Sequence, residues 1–182
     1  CNLRMHSCVK KAKEWLDAGM IGQPIWANFT LAQYNDKYID NVILNWGAHE
    51  LDLARYLLGD CEVAACVGGK RLADIILVHE SNHSTVHLDY LTQPEARHFR
   101  IQGTNGFIAG ELTGQRRAVL WYAGQKEPDI SYGDDSFDEN YIEEMQAFID
   151  MIDGKPAPHA ATGEDGLAVL ELCLEAKRMA GI

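Results

Sequence analysis

Asn45, His49, Asp52 and Tyr56 stand at i, i+4, i+7 and i+11 along one stretch of the chain. On a helix this spacing lines one stripe, while Gly47, Leu51, Ala54 and Leu58 line another, so one side packs and the other is polar. An amide or carboxylate one turn before a histidine can orient the imidazole or hold a hydroxyl. The imidazole can then exchange that hydroxyl proton during hydride transfer. A helix whose polar side merely faces water has the same pattern, and spacing does not choose between the two.

Other clusters point to less chemistry. His79, His83 and His87 recur every four residues, but in a strand-like setting, where four residues span about 13 Å. Because Ser81-Asn82-His83-Ser84 has turn composition, a solvated hairpin is expected rather than a metal face. The five cysteines, Cys1, Cys8, Cys61, Cys66 and Cys173, include no C-x-x-C pair and read as reduced thiols. Gly103-Thr104-Asn105-Gly106 has the wrong spacing for a dinucleotide loop and reads as a hairpin turn. Asp134-Asp135 and Glu143-Glu144 read as helix-start and solvated-face charges.

A formal charge of −11 over 182 residues argues against nucleic acid and leaves small neutral or weakly anionic substrates open. Nothing approaches the roughly 20 apolar residues of a membrane span, and no signal-peptide pattern opens the chain. No membrane partner and a cytoplasmic location are therefore expected. The chain begins at Cys1 and runs straight into structure, so a further domain upstream is expected.

The elements that must position these residues follow from periodicity. A helix is predicted over 7–18, closed by Gly19, and another from about 45 to 58, closed by Gly59. Between them a strand over 25–34 sets Ile25, Ala27, Phe29 and Leu31 against Trp26, Asn28, Thr30 and Tyr34. Further strands are predicted at 63–68, 75–80, 85–91, 98–102, 107–112 and 118–122. Ser136 with Glu139, and Thr162 ahead of Glu164 and Asp165, start two last helices. Tyr141, Met145, Phe148, Ile149 and Ile152 stripe the first; Leu167, Leu170 and Leu174 stripe the second. The expectation is one α+β domain over 1–182, with helices on one face of an open, largely antiparallel sheet. The uncovered face, bearing Trp26, Asn28, Thr30 and Tyr34, would meet another subunit.

Asn45-x-x-x-His49-x-x-Asp52, followed by Leu53-Ala54-Arg55-Tyr56-Leu57-Leu58-Gly59, resembles the second-domain signature of the Gfo/Idh/MocA oxidoreductases. Asn2-Leu3-Arg4-Met5-His6 and Gly19-Met20-Ile21-Gly22-Gln23-Pro24 resemble the join between that family's two domains, and Arg100-Ile101-Gln102-Gly103-Thr104-Asn105-Gly106 its strand-turn-strand element. With 148–156 and 166–176, the resemblance covers nearly the whole chain. It implies a glyceraldehyde-3-phosphate dehydrogenase-like C-terminal domain, with the Rossmann domain missing. It implies NAD(P)-dependent chemistry on a secondary alcohol of a sugar, inositol or nucleotide sugar, and a homo-oligomer through the open sheet face.

Carried over by position, His49 becomes the proton-transfer residue and Asn45 the substrate-orienting one, with Asp52 beside them. NAD or NADP would bind the full-length protein and not this chain. The family's Glu-Lys-Pro lysine, which works with the histidine, is absent here. The family's usual aspartate is Asn45 in this chain, which implies either a preference shifted toward an anionic group or a weakened catalyst. Asp40-Asn41-Val42 replaces a glycine trio ahead of the helix. Arg4, Tyr34 and Lys37 either reach a sugar hydroxyl or acidic substituent, or serve as surface and packing residues. The alternative to the whole reading is a non-catalytic ligand-binding or assembly relative of the same fold.

Overall fold

Alternation along the strands and a 3.6-residue period along the helices build the same core from opposite sides. In the computed structural model, which describes residues 1–36, 41–133 and 136–182 (Phe137 without its side chain), a 3-10 turn Asn2–Met5 leads into α1 (Ser7–Asp17) and β1 (Pro24–Ala32). A π-helical turn, Ile43–Gly47, then opens α2 (Ala48–Leu58). Seven strands follow: β2 (Cys61–Gly68), β3 (Leu72–His79), β4 (His83–Asp89), β5 (Ala96–Gly103), β6 (Gly106–Glu111), β7 (Arg117–Tyr122) and β8 (Asp129–Tyr132). Helices α3 (Phe137–Ile152) and α4 (Gly163–Ala180) end the chain. The readings placed on Lys37, Asp40 and Asp134-Asp135 lie outside the described residues.

The eight strands form one sheet in the order β2-β3-β4-β1-β5-β6-β7-β8, antiparallel except where β1 runs parallel to β4. Ala27, Phe29 and Leu31 of β1, Ile75 and Leu77 of β3, and Phe99 and Ile101 of β5 face inward. Against them pack Val9 and Ala12 of α1, Leu51 and Ala54 of α2, and Leu172, Cys173 and Ala176 of α4. Gly47 lets the π-helical turn approach closely, because a Cβ would stand 2.7 Å from the end of the Leu88 side chain of β4, which would have to shift. Gly103 is a second such site: a Cβ there would reach within 2.2 Å of the Ile21 carbonyl. The Gly103–Gly106 segment is thus the hairpin between β5 and β6, as its composition implies.

Cross-strand register puts three rows on the uncovered face. One runs Ile76, Thr85, Asn28, Arg100, Ala109, Val119 and Ile130; the next Val78, His83, Trp26, Gln102, Phe107 and Trp121. The third runs Asp74, His87, Thr30, His98, Glu111, Arg117 and Tyr132. All five cysteines are free. No described helix is long and apolar enough to cross a membrane.

Four expectations change. The helix expected from residue 45 begins with a π-helical turn, and its regular α part starts at Ala48. Strand β8 was not expected at all. The stripes read on the last two helices do not meet the core: Met145, Phe148 and Ile152 on α3 and Leu167, Leu170 and Leu174 on α4 are exposed, because α4 turns Val169, Leu172, Cys173 and Ala176 inward instead. The 79–87 segment is a hairpin, but His79 is buried within it, bonded to the Gly59 carbonyl and Ser84 Oγ.

Candidate functional site

His49 sits in the first turn of α2, and Gly47 and Leu51 bring that turn down onto the sheet. Its ring opens into a cavity of about 350 Å³ lined also by Asn2, Gln33, Trp46, Glu95, Arg97 and Tyr141. Nδ1 lies 3.3 Å from Cys1 Sγ, and Nε2 has no partner among the described residues. Burial, with help from the nearby Arg97 charge, lowers the imidazole to about 4, and Asp52 offsets this only in part. The ring is therefore neutral at physiological pH and can accept a proton from a bound hydroxyl.

The next residue on the helix, Glu50, is 1% exposed and does not itself line the cavity. Its Oε1 accepts from Arg97 Nε at 2.7 Å, so a buried pair bolts the His49 turn to the start of β5. Desolvation raises the Glu50 carboxyl, against the opposing pull of Arg97. Glu50 Oε2, Arg97 Nη2 and Gln33 Oε1 are all buried without a hydrogen-bond partner. Buried polar groups are usually satisfied; two of these orphans, on Arg97 and Gln33, belong to side chains that line the cavity, which suits it to a polar ligand.

The other residues singled out from sequence divide. Arg4 and Asp52 are brought together but not into the cavity: Arg4 Nε and Nη2 donate to both Asp52 oxygens, at 2.9 and 2.6 Å. Arg4 Nη1 donates to Asp165 at 3.2 Å, and its guanidinium lies 5.0 Å over the Tyr56 ring. Tyr56 in turn meets His159. The polar stripe therefore continues below His49 as an internal network joining the 3-10 turn, α2 and α4. Asn45 is exposed in the π-helical turn and does not line the cavity. Tyr34 is exposed beyond the end of β1, where its neighbour Gln33 takes the lining position. Lys37 is outside the described residues.

Gln33, Arg97, Asn2, Trp46, Glu95 and Tyr141 were not read as site residues. Arg97 carried a usable signal, since it shares the inward row of β5 with Phe99 and Ile101. A charge in an apolar row must be paired or functional. A larger concavity, about 420 Å³, lies around His98, Arg100, Glu111 and Arg117. There Glu111 and Arg117 pair with each other, and Glu95 and Arg97 border both hollows. Among the described residues no group of three or more histidines, cysteines or acidic residues could hold a metal ion.

Comparison with known proteins bears on this geometry. A family model for the GFO/IDH/MocA C-terminal domain matches residues 9–109. The D-apiose dehydrogenase of Rhizobium rhizogenes is 28% identical over 130 residues, covering 59% of this chain and 38% of that protein. An oxidoreductase of Agrobacterium radiobacter, solved with NAD+, L-tartaric acid and magnesium, superposes with a TM-score of 0.82 at 23% identity, covering 99% of this chain and 61% of the other. An inositol dehydrogenase homologue of Azotobacter vinelandii, solved with NADH and myo-inositol, gives 0.83 at 10% identity, covering 99% and 61%. The chain thus spans less than two thirds of the length of each of these relatives, and the structural matches speak for the fold.

Proposed function

The chain belongs to the Gfo/Idh/MocA oxidoreductases through its C-terminal domain, and we propose that it serves as the substrate-side half of an NAD(P)-dependent dehydrogenase acting on a secondary alcohol of a sugar or polyol. The observation that carries this reading is His49, neutral and with Nε2 unpartnered among the described residues, in a cavity of about 350 Å³ ringed mostly by polar side chains. That volume falls at the small end of ligand sites and suits a single sugar. The dehydrogenase names of the D-apiose and inositol relatives support the same class.

In the tautomer that donates Nδ1–H to Cys1 Sγ, Nε2 presents its lone pair to the substrate hydroxyl. It takes the hydroxyl proton as the carbon is oxidised and, being weakly basic, passes it on readily. Gln33 and Asn2 supply hydrogen bonds that fix the sugar, and Trp46 a flat apolar wall. Hydride acceptance is the cofactor's chemistry. The residues present do not fit a dinucleotide: Gly103-Thr104-Asn105-Gly106 is a hairpin between two strands, packed at Gly103 against the Ile21 carbonyl, rather than a loop that opens a helix. The cofactor would be held by a nucleotide-binding half, which would dock on the exposed apolar side of α3, where Ile142 and Ile152 are 68% and 70% exposed. Trp26, Trp121 and Tyr132 on the uncovered sheet face would pack a second copy. A cytoplasmic setting follows for an enzyme using that cofactor.

Full-length protein incubated with NAD+ or NADP+ and a panel of sugars, inositols and sugar acids should produce absorbance at the reduced-nicotinamide band with at least one of them. Ligand binding without any cofactor turnover across the panel would instead make it a binding relative of the same fold.

A further inference from the structure

We infer that the Arg97 guanidinium anchors a carboxylate of the substrate, so that the His49 cavity is built for a sugar acid or related hydroxy acid rather than for a neutral polyol. This deepens the reading of that cavity as the substrate site and rests on it.

Arg97 is 6% exposed and stands in the inward, otherwise apolar row of β5. A guanidinium in such a place is costly unless its donors are met. Among the described residues they are met only in part. Nε donates once, to Glu50 Oε1, and Nη2 is buried without a partner. Because the Glu50 contact is single, it does not use up the fork by which arginine grips a carboxylate through two parallel hydrogen bonds. The same side chain lines the cavity beside His49 and Gln33. A carboxylate placed there would satisfy the missing donor capacity, and the hydroxyl on the adjoining carbons would fall toward the imidazole.

The remaining charges leave this arrangement standing. Glu95 also lines the cavity, but it is exposed and lies within hydrogen-bond reach of Gln33 Nε2. Solvent screens it; Glu50 already offsets much of the Arg97 charge, so what the desolvated arginine keeps for a ligand is its unused donor capacity. His49 is neutral, so it neither repels nor competes for the anion. Gln33 Oε1, also unpartnered, is an acceptor suited to a hydroxyl of the same ligand.

The test is calorimetric titration of the full-length protein with two matched pairs: D-gluconate against D-glucitol, and D-glucuronate against D-glucose. Each acid should bind at least about tenfold more tightly than its neutral partner, since a lost charge-assisted pair is worth that much or more. Arg97→Met should abolish the preference by weakening the acids at least about tenfold more than their neutral partners; Arg97→Lys should keep part of it, having the charge without the fork. Because Arg97→Met strands a buried Glu50, the double change Glu50→Gln with Arg97→Met is made alongside, and it should fold and show the same lost preference. No preference in the wild type, no measurable binding of either acid, or equal weakening of acids and neutral partners by the substitutions would each overturn the proposal. Binding is read without turnover, so a protein that prefers acids yet reduces no cofactor would sink the dehydrogenase reading alone. One that oxidises neutral sugars with no acid preference would sink this inference alone.

Discussion

Two buried ion pairs flank His49, and they have different consequences. The Arg4–Asp52 pair is bidentate, at 2.9 and 2.6 Å, and reaches Asp165 at the start of α4. Burial alone would raise Asp165, but the Thr162 backbone, Arg4 and Arg55 outweigh it and hold its carboxyl down to about 2. Removing one member of such a pair strands the other, so Arg4→Met should lower stability by about 3–5 kcal/mol, read as a lower urea midpoint. A loss of substrate affinity at unchanged stability would return Arg4 to the substrate site. His49 yields a second prediction. The folded imidazole resists protonation down to about 4, while the unfolded one takes its proton near the ordinary 6.5. Between those values the unfolded chain binds more protons, so stability falls as pH drops from 6.5 toward 4 and is indifferent to this group above 6.5. Urea midpoints at pH values spanning that window should fall less steeply in His49→Gln than in the parent. The histidine was legible from its spacing, but the partition of its neighbours was not: i+7 periodicity put Asp52 on the polar side without showing that Arg4, 48 residues away, would claim it.

Elements with a strong local signal were read well and those without one were not. Alternation located seven of the strands, and the capping box of Ser136 with Glu139 is present; Thr162, legible as a helix start, forms a second box with Asp165. The Thr162 cap holds α4 at the point where Asp165 meets Arg4 and Arg55. Thr162→Ala should therefore cost about 1 kcal/mol as a lost cap, or more if Asp165 shifts, measured by thermal unfolding. An effect within error would mean that the arginines alone position Asp165. Strand β8 is four residues long, Asp129 to Tyr132, and its register comes from pairing with β7, a long-range fact absent from its own composition. The π-helical turn before α2 holds an extra residue per turn, which a 3.6-residue template cannot display. That turn also leaves Asn45 exposed, where spacing alone had set it over His49.

At the scale of the whole molecule, one face of the sheet carries the helices and the other carries aromatic and charged rows with no cover. Trp26 lies centrally in its row, between His83 and Gln102. If that face joins two copies, Trp26→Glu should shift the sedimentation coefficient to a smaller species without lowering the unfolding midpoint, and an unchanged coefficient would place the subunit contact elsewhere. The apolar side of α3 is a separate surface, bordering the His49 cavity through Tyr141. Its stripe was visible in the sequence, but a stripe shows only that a face is to be covered, not whether by its own core or by another domain. At the centre of the proposed function stands His49 as the group that moves the proton. The direct measurement is kcat of full-length protein and of His49→Ala on the best substrate of the panel, with cofactor affinity measured in parallel. The prediction is a fall in kcat of about 10²–10⁴-fold with cofactor affinity unchanged; turnover equal to that of the parent would contradict it.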